Sequence, residues 1–281
     1  MSTADVSGKS LTELVSLRGR RALVTGGARG LGKAIASRLA EAGADLLIGD
    51  LDEEQATAAA KELAERHGVR AIGAAMDVTD AAAVASAADR AVAELGGLEI
   101  WVNNAGIFPA VPLLEMTEET WDQVFAVNAR GVFIGAREAA RRMSATGPGN
   151  DSDSDGGRGG VIVNIVSTAG FRGSAPGLAA YVGSKHAARG LTRELALELA
   201  PLGIRVLGVA PSFVPTEGNL AMAAAAGVNL DEIPPTDLML NSPIGRVGTP
   251  DDIARVALFC ASDLSAFMTG STLLADGGDT A

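Results

Sequence analysis

The 281-residue sequence holds one cysteine, one tyrosine, two histidines and only four lysines, Lys9, Lys33, Lys61 and Lys185. A single cysteine, Cys260, excludes an intrachain disulfide, and its place in the helical run IARVALFCAS marks a small buried hydrophobe. His67 and His186 have no second histidine or cysteine at ligand spacing, so no metal site is expected. His67, in ELAERHG, fits a solvated helix end. No apolar stretch approaches the roughly 18–20 residues of a transmembrane helix. Residues 1–19 lack an apolar signal-peptide core and read as a short mobile arm or a surface helix. The net charge is −11 and no Lys/Arg-rich stretch stands out, which argues against nucleic acid as a partner. The expectation is an acidic, soluble, cytoplasmic protein with no membrane partner.

Hydrophobic residues make up 47% of the chain, enough for a sizeable core. Short apolar runs alternate with helical patterns. Strands are predicted at 21–27, 45–50, 69–78, 98–106, 160–167, 204–212 and 270–278. Helices are predicted at 31–44, 53–68, 81–97, 179–203 and 249–263, with one long helix over 117–143. Asp52 and Gln55 are spaced as a capping box, and Thr249 precedes Pro250 as an N-cap. The fold expected is α/β: a single-domain Rossmann-type doubly wound parallel sheet of about seven strands, with helices on both faces, over 20–281. Two segments break the rhythm. Residues 147–160, polar and glycine-rich, read as a flexible surface loop. Residues 213–248 follow the sixth strand and read as a substrate lid at the ligand-binding edge.

The first strand ends in TGGARGLG and a helix follows at once. Glycines there let the chain turn tightly and let a pyrophosphate approach backbone N–H groups at a helix N-terminus. The site so read takes in Gly26, Arg29, Gly30, Leu31 and Gly32. It continues to Asp50 and the adjoining Leu51 at the end of the second strand. A carboxylate at Asp50 accepts from the ribose hydroxyls of NAD and repels the 2′-phosphate of NADP. Arg29 pulls the other way, but Asp50 sits at the ribose position itself, so NAD is the expected cofactor. Asp77 and Val78 flank the adenine position. Asn103-Asn104-Ala105-Gly106 closes the fourth strand at the ligand edge.

The lone tyrosine, Tyr181, has Lys185 four residues on, so the two share one helix face. A phenol titrates near ~10, and an adjacent ammonium favours its ionised form. Such a phenol takes a proton from an alcohol or gives one to a ketone oxygen. Ser167, at the end of the fifth strand, has a hydroxyl suited to the substrate oxygen. Asn128, inside a helix, needs a partner, and a water chain from Lys185 is one candidate.

Together these motifs resemble the short-chain dehydrogenase/reductase family from about Arg20 to Gly278. TGGARGLG resembles its cofactor loop and NNAG its motif after the fourth strand, while Asn128, Ser167, Tyr181 and Lys185 stand at its catalytic tetrad positions. The resemblance implies tyrosine as acid/base, serine orienting substrate, lysine on the nicotinamide ribose, asparagine supporting a relay water, and no metal. It also implies that the segment from Pro211 holds the nicotinamide carboxamide through Val214 and Thr216. Members assemble as tetramers or dimers through the helices beginning near Thr117 and Ala179, so a homotetramer is expected. Leu207 and Ser212 depart from the family's usual asparagine and glycine. The Ser167–Tyr181 interval is one residue longer than the commonest, which leaves Thr168 as a competitor to Ser167.

The leading function is hydride transfer between NAD(H) and a secondary alcohol or ketone. An NADP-linked 3-oxoacyl reductase is the alternative within the class, and Asp50 argues against it. A methyltransferase gives Tyr181-Lys185 and NNAG no role. A non-catalytic nucleotide-binding module gives no role to the tetrad. Phe108, Phe171, Phe213 and Met222 suggest an apolar pocket and hence a hydrophobic or cyclic substrate. Arg172 reads as a solvated side chain.

Overall fold

The computed structural model describes residues 5–145, 159–218 and 242–281. Its strands are β1 (Arg21–Thr25), β2 (Asp45–Asp50), β3 (Ala71–Ala75), β4 (Ile100–Asn103), β5 (Val161–Ile165), β6 (Arg205–Pro211) and β7 (Thr272–Ala275). The helices are α1 (Leu11–Val15), α2 (Gly30–Glu41), α3 (Glu53–His67), α4 (Ala81–Leu95), α5 (Glu118–Phe125), α6 (Gly131–Ala145), α7 (Ala179–Leu199) and α8 (Pro250–Ala261). All strands pair in parallel in the order β3-β2-β1-β4-β5-β6-β7. Consecutive connections run outward from β1 in one direction and, after β4, in the other. The crevice between the carboxyl ends of β1 and β4 is therefore the switch point where such sheets bind ligands.

The central strands are mostly apolar and largely buried because helices cover both faces, with Asn103 and Asn164 as buried polar exceptions on β4 and β5. One core layer packs Ile35 and Leu39 of α2 and Ile253, Ala257 and Cys260 of α8 against β1, β5 and β6. The other packs Ala88 of α4, Ile134 and Ala139 of α6 and Ala196 of α7 against Trp101 and Ile162. Caps set the helix ends. Asp52 accepts from the Gln55 N–H, and Gly68 ends α3 in the left-handed region that favours glycine. Thr249 and Asp252 form a reciprocal box ahead of α8.

Three sequence expectations change. The long helix over 117–143 is interrupted by one turn of π-helix, Ala126–Arg130, between α5 and α6. The interruption coincides with Asn128, whose side chain is drawn inward to bond Ile107, and π turns often mark such sites. The strands predicted at 69–78, 98–106 and 270–278 are trimmed to β3, β4 and β7, where ladder pairing ends. The described part of the leading arm is anchored. Ser10 caps α1 in a box with Glu13, Leu17 is fully buried in the core, and Lys9 pairs with Asp263 at 3.0 Å. Most of the loop expected at 147–160 and the centre of the lid expected at 213–248, including Met222, lie outside the described residues. No helix among the described residues is long and apolar enough to cross a membrane.

Candidate active site

The turn after β1 is shaped by what cannot be there. Gly26 and Gly30 have φ of 61° and 57°, where a side chain is strained. A Cβ on Gly32 would lie 2.1 Å from the Gly26 carbonyl oxygen. The same turn is stitched to the end of β4. The Thr25 hydroxyl accepts from the N–H groups of Asn104 and Ala105, both at 3.0 Å, and the Asn104 amide donates to the carbonyls of Thr25 and Gly26, both at 2.9 Å. Asn104 thus holds the turn open, and its side-chain amide is committed to the backbone.

Around this turn stand the other nucleotide candidates. Arg29 is the exposed N-cap residue of α2, and Leu31 is half-buried on its first turn. Asp50 ends β2 and accepts from the Ala28 N–H at 3.1 Å through one carboxylate oxygen. Leu51 beside it is 75% exposed. Asp77 accepts from the N–H and hydroxyl of Thr79 through one oxygen, so it closes its own turn. Val78 packs under Gly131 of α6. Pro211 ends β6, Val214 is buried against Gly248, and Thr216 lies beside Gly30, where an added Cβ would meet it at 3.5 Å. The glycine turn and the segment after β6 therefore face each other across the crevice. An open turn at a helix N-terminus, with a carboxylate ending the next strand, fits a dinucleotide.

Tyr181 and Lys185 sit one turn apart on α7, with the Lys185 ammonium 5.7 Å from the Tyr181 ring centroid. The Lys185 Nζ donates to the Ile165 carbonyl at 2.9 Å, which ties it to the end of β5. Burial pushes its pKa down to about 8. The phenol is expected low beside an ammonium. In the structure burial raises it, while the Ser167 hydroxyl pulls it part of the way back. Ser167 precedes a short 3₁₀ turn and accepts from the Ala169 N–H at 3.1 Å. Thr168 is buried inside that turn, so the hydroxyl facing Tyr181 belongs to Ser167.

The Asn128 side chain is held by protein partners. Its oxygen accepts from Ile107 N–H at 2.9 Å, and its amide donates to the Ile107 carbonyl at 2.7 Å and to the Ser184 hydroxyl at 3.1 Å. Ser184 in turn donates to the Tyr181 carbonyl at 2.7 Å. Sequence reasoning overlooks Ser184, because a serine bonding back three residues inside a helix is ordinary. Gly106 completes the cluster: a Cβ there would lie 3.3 Å from the Asn128 oxygen and 3.7 Å from the Lys185 nitrogen.

Phe108 meets the Tyr181 ring edge-on, with centroids 5.8 Å apart. Phe213 is half-buried just after β6. Phe171, expected in the pocket, has one face covered by the Arg189 guanidinium at 3.7 Å. Arg172 is not simply solvated but pairs with Asp279 at 2.6 Å.

Two hydroxyls and a buried lysine thus stand beside a glycine turn at the switch point of an α/β sheet, an arrangement suited to proton transfer beside a bound nucleotide. Comparison with known proteins narrows the reading. A family model described as enoyl-(acyl carrier protein) reductase matches residues 26–280. The L-2,3-butanediol dehydrogenase of Corynebacterium glutamicum is 39% identical over 266 residues, which cover 92% of this chain and 97% of that one. The 3-oxoacyl-[acyl-carrier-protein] reductase FabG of Aquifex aeolicus is 34% identical, covering 94% and 98%. A short-chain type dehydrogenase/reductase from Mycobacterium marinum superimposes with a TM-score of 0.83 at 34% identity, covering 96% and 99%. The chain belongs to the short-chain dehydrogenase/reductase family, and its activity is alcohol/ketone oxidoreduction.

Proposed function

We propose that this chain transfers a hydride between NAD(H) and a secondary alcohol or ketone, with Tyr181 as the general acid/base. The observation that carries the reading is the Tyr181–Lys185 pair on one face of α7, with the ammonium 5.7 Å from the phenol ring centroid and tied to the end of β5, where Ser167 stands. When bound, the nicotinamide supplies the carbon that accepts or donates the hydride. The turn at Gly26, Gly30 and Gly32, with Asp50, would hold its nucleotide, and Lys185, Val214 and Thr216 would face its reactive half. Tyr181 Oη takes the alcohol proton in oxidation and returns it in reduction. Ser167 donates to the substrate oxygen as negative charge builds there. Lys185, when protonated, favours the phenolate through its charge, its ammonium lying 5.7 Å from the Tyr181 ring centroid. Asn128 and Ser184 hold the first turn of α7 in place through Ile107 and the Tyr181 carbonyl. The apolar edge at Phe108 favours a hydrophobic or cyclic substrate. A panel of linear, cyclic and steroid alcohols with NAD, read by nicotinamide absorbance, tests this; no reduction by any of them would overturn the proposal.

A second reading, an NADP-linked 3-oxoacyl reductase, is favoured by Arg29, which lies exposed at the start of α2. Asp50 favours NAD, since its carboxylate would meet the 2′-phosphate of NADP at close range. Replacing Asp50 with serine is expected to raise the NADP-to-NAD ratio of kcat/KM by about tenfold or more, the worth of one close like-charge contact. An unchanged ratio would favour the second reading. For assembly we infer a homotetramer or homodimer, supported by exposed Trp121, Phe133 and Leu197 on α5, α6 and α7. A monomer mass by light scattering would contradict that.

A further inference from the structure

Behind the site runs a line of polar side chains that the proposed chemistry does not use. Asn103 of β4 and Asn164 of β5 are register partners, and both point into the layer that holds α6 and α7. The Trp101 indole N–H donates to the Asn103 oxygen at 2.7 Å, and the Asn103 amide donates to the Asn164 oxygen at 2.9 Å. The Asn164 amide donates to the Thr192 hydroxyl at 3.0 Å, and that hydroxyl donates to the Ala188 carbonyl at 2.9 Å. Trp101, Asn164 and Thr192 are wholly buried and Asn103 is 4% exposed. Gly135 of α6 makes room for the line, because a Cβ there would come within 2.2 Å of the Asn103 oxygen. A buried polar line is costly unless every member is satisfied, so its members tolerate little relative movement.

The line ends on α7. The end of β5 grips this helix at three successive places. Ser167 faces Tyr181 and lowers its pKa, the Ile165 carbonyl accepts from Lys185, and the Asn164 amide donates to Thr192. Thr192 lies two helical turns beyond Lys185, roughly 10 Å along the axis at 1.5 Å per residue. The first two grips involve the reacting groups. The third touches neither substrate nor cofactor positions and is backed by a second strand through Asn103.

We propose that Asn164 and Thr192 are positioning residues, which lock the axial setting of α7 against β5 and so hold Tyr181 in register with Ser167. The inference rests on the acid/base reading of Tyr181 given above. Loss of the Thr192 hydroxyl leaves the Asn164 amide without its acceptor and frees α7 to slip, and small displacements of a reacting group cost rate steeply.

Thr192→Val keeps the shape and removes the hydroxyl; Thr192→Ser keeps the hydroxyl. Because Tyr181 is the lone tyrosine, ¹³Cζ-tyrosine NMR reads one titrating resonance. In Thr192→Val the Tyr181 titration should move up by about half a pH unit or more, as the stabilising Ser167 contact weakens. Its kcat should fall about tenfold with the KM for NAD within about twofold. Thr192→Ser should match the parent in both. If the valine variant does not fold, Thr192→Cys, with a weak thiol donor of similar size, should shift both readouts in the same direction. A folded valine or cysteine variant with a lower Tm but a parental Tyr181 titration and kcat would overturn the inference, leaving the line a stability element. If the parent oxidises no alcohol, the proposed function fails, while the NMR titration still decides this inference.

Discussion

Tyr181→Phe is expected to lower kcat by about 10³- to 10⁴-fold, the upper range for removal of a positioned general acid/base. The substitution removes one oxygen and keeps the ring. Its edge-on packing against Phe108 stays, and the backbone contact from Ser184 to the Tyr181 carbonyl is untouched. Lys185 remains tied to Ile165, so the groups that would hold the nicotinamide half keep their places. NAD affinity, read by fluorescence titration, should therefore stay within about twofold, because no uniform binding contact is lost. The split between kcat and binding is the signature of proton transfer. A Phe variant within tenfold of the parent kcat would require another acid/base. No other tyrosine exists to supply it, and no cysteine but buried Cys260.

Gly32→Ala is expected to act on the opposite half of the site. Its new methyl would fall 2.1 Å from the Gly26 carbonyl oxygen and 2.6 Å from the Asn104 amide nitrogen. The first is backbone and has nowhere to go. The second donates to the very carbonyls that define the turn, at Thr25 and Gly26. The turn must open, and hydrogen bonds that join β1 to β4 must lengthen or break. Stability should fall by about 2–4 kcal/mol, from overpacking plus lost buried hydrogen bonds. The KM for NAD should rise about 100-fold or more, since the backbone N–H groups no longer converge on one pyrophosphate position. Thermal melts and cofactor titration read the two effects separately. Parental cofactor affinity with a parental Tm would mean that the turn is not the nucleotide cradle.

The strands and helices were readable because buried parallel strands are continuous apolar runs and their helices carry clear caps. Asp52, Thr249 and Pro250 mark helix starts without reference to tertiary structure. The π turn at Ala126–Arg130 was not readable, because its residues suit an ordinary helix and only the pull of Ile107 on Asn128 distinguishes it. The candidate residues of the site were visible as types at spacings: a lone Tyr181, a lysine one turn on, glycines before a helix. Their partners were not. That Asn104 braces the glycine turn and Asn103 faces Asn164 follows from β4 lying between β1 and β5, an order no local pattern encodes. The burial that raises the Tyr181 pKa is hidden from the sequence for the same reason. Charge proximity is visible at i,i+4, whereas desolvation depends on everything packed around the pair.

In the proposed chemistry one phenol, Tyr181, loses and regains a proton in each turnover. The most direct measurement sets the pH dependence of hydride transfer beside the ¹³Cζ titration of Tyr181 in the same NAD complex. Alcohol oxidation should rise with pH and ketone reduction should fall, because the first needs the phenolate and the second the phenol. Both midpoints should coincide with the Tyr181 titration and move with it when Lys185 is replaced by methionine. A rate profile whose midpoint stays away from the Tyr181 titration, or one that survives unchanged in Tyr181→Phe, would contradict that chemistry.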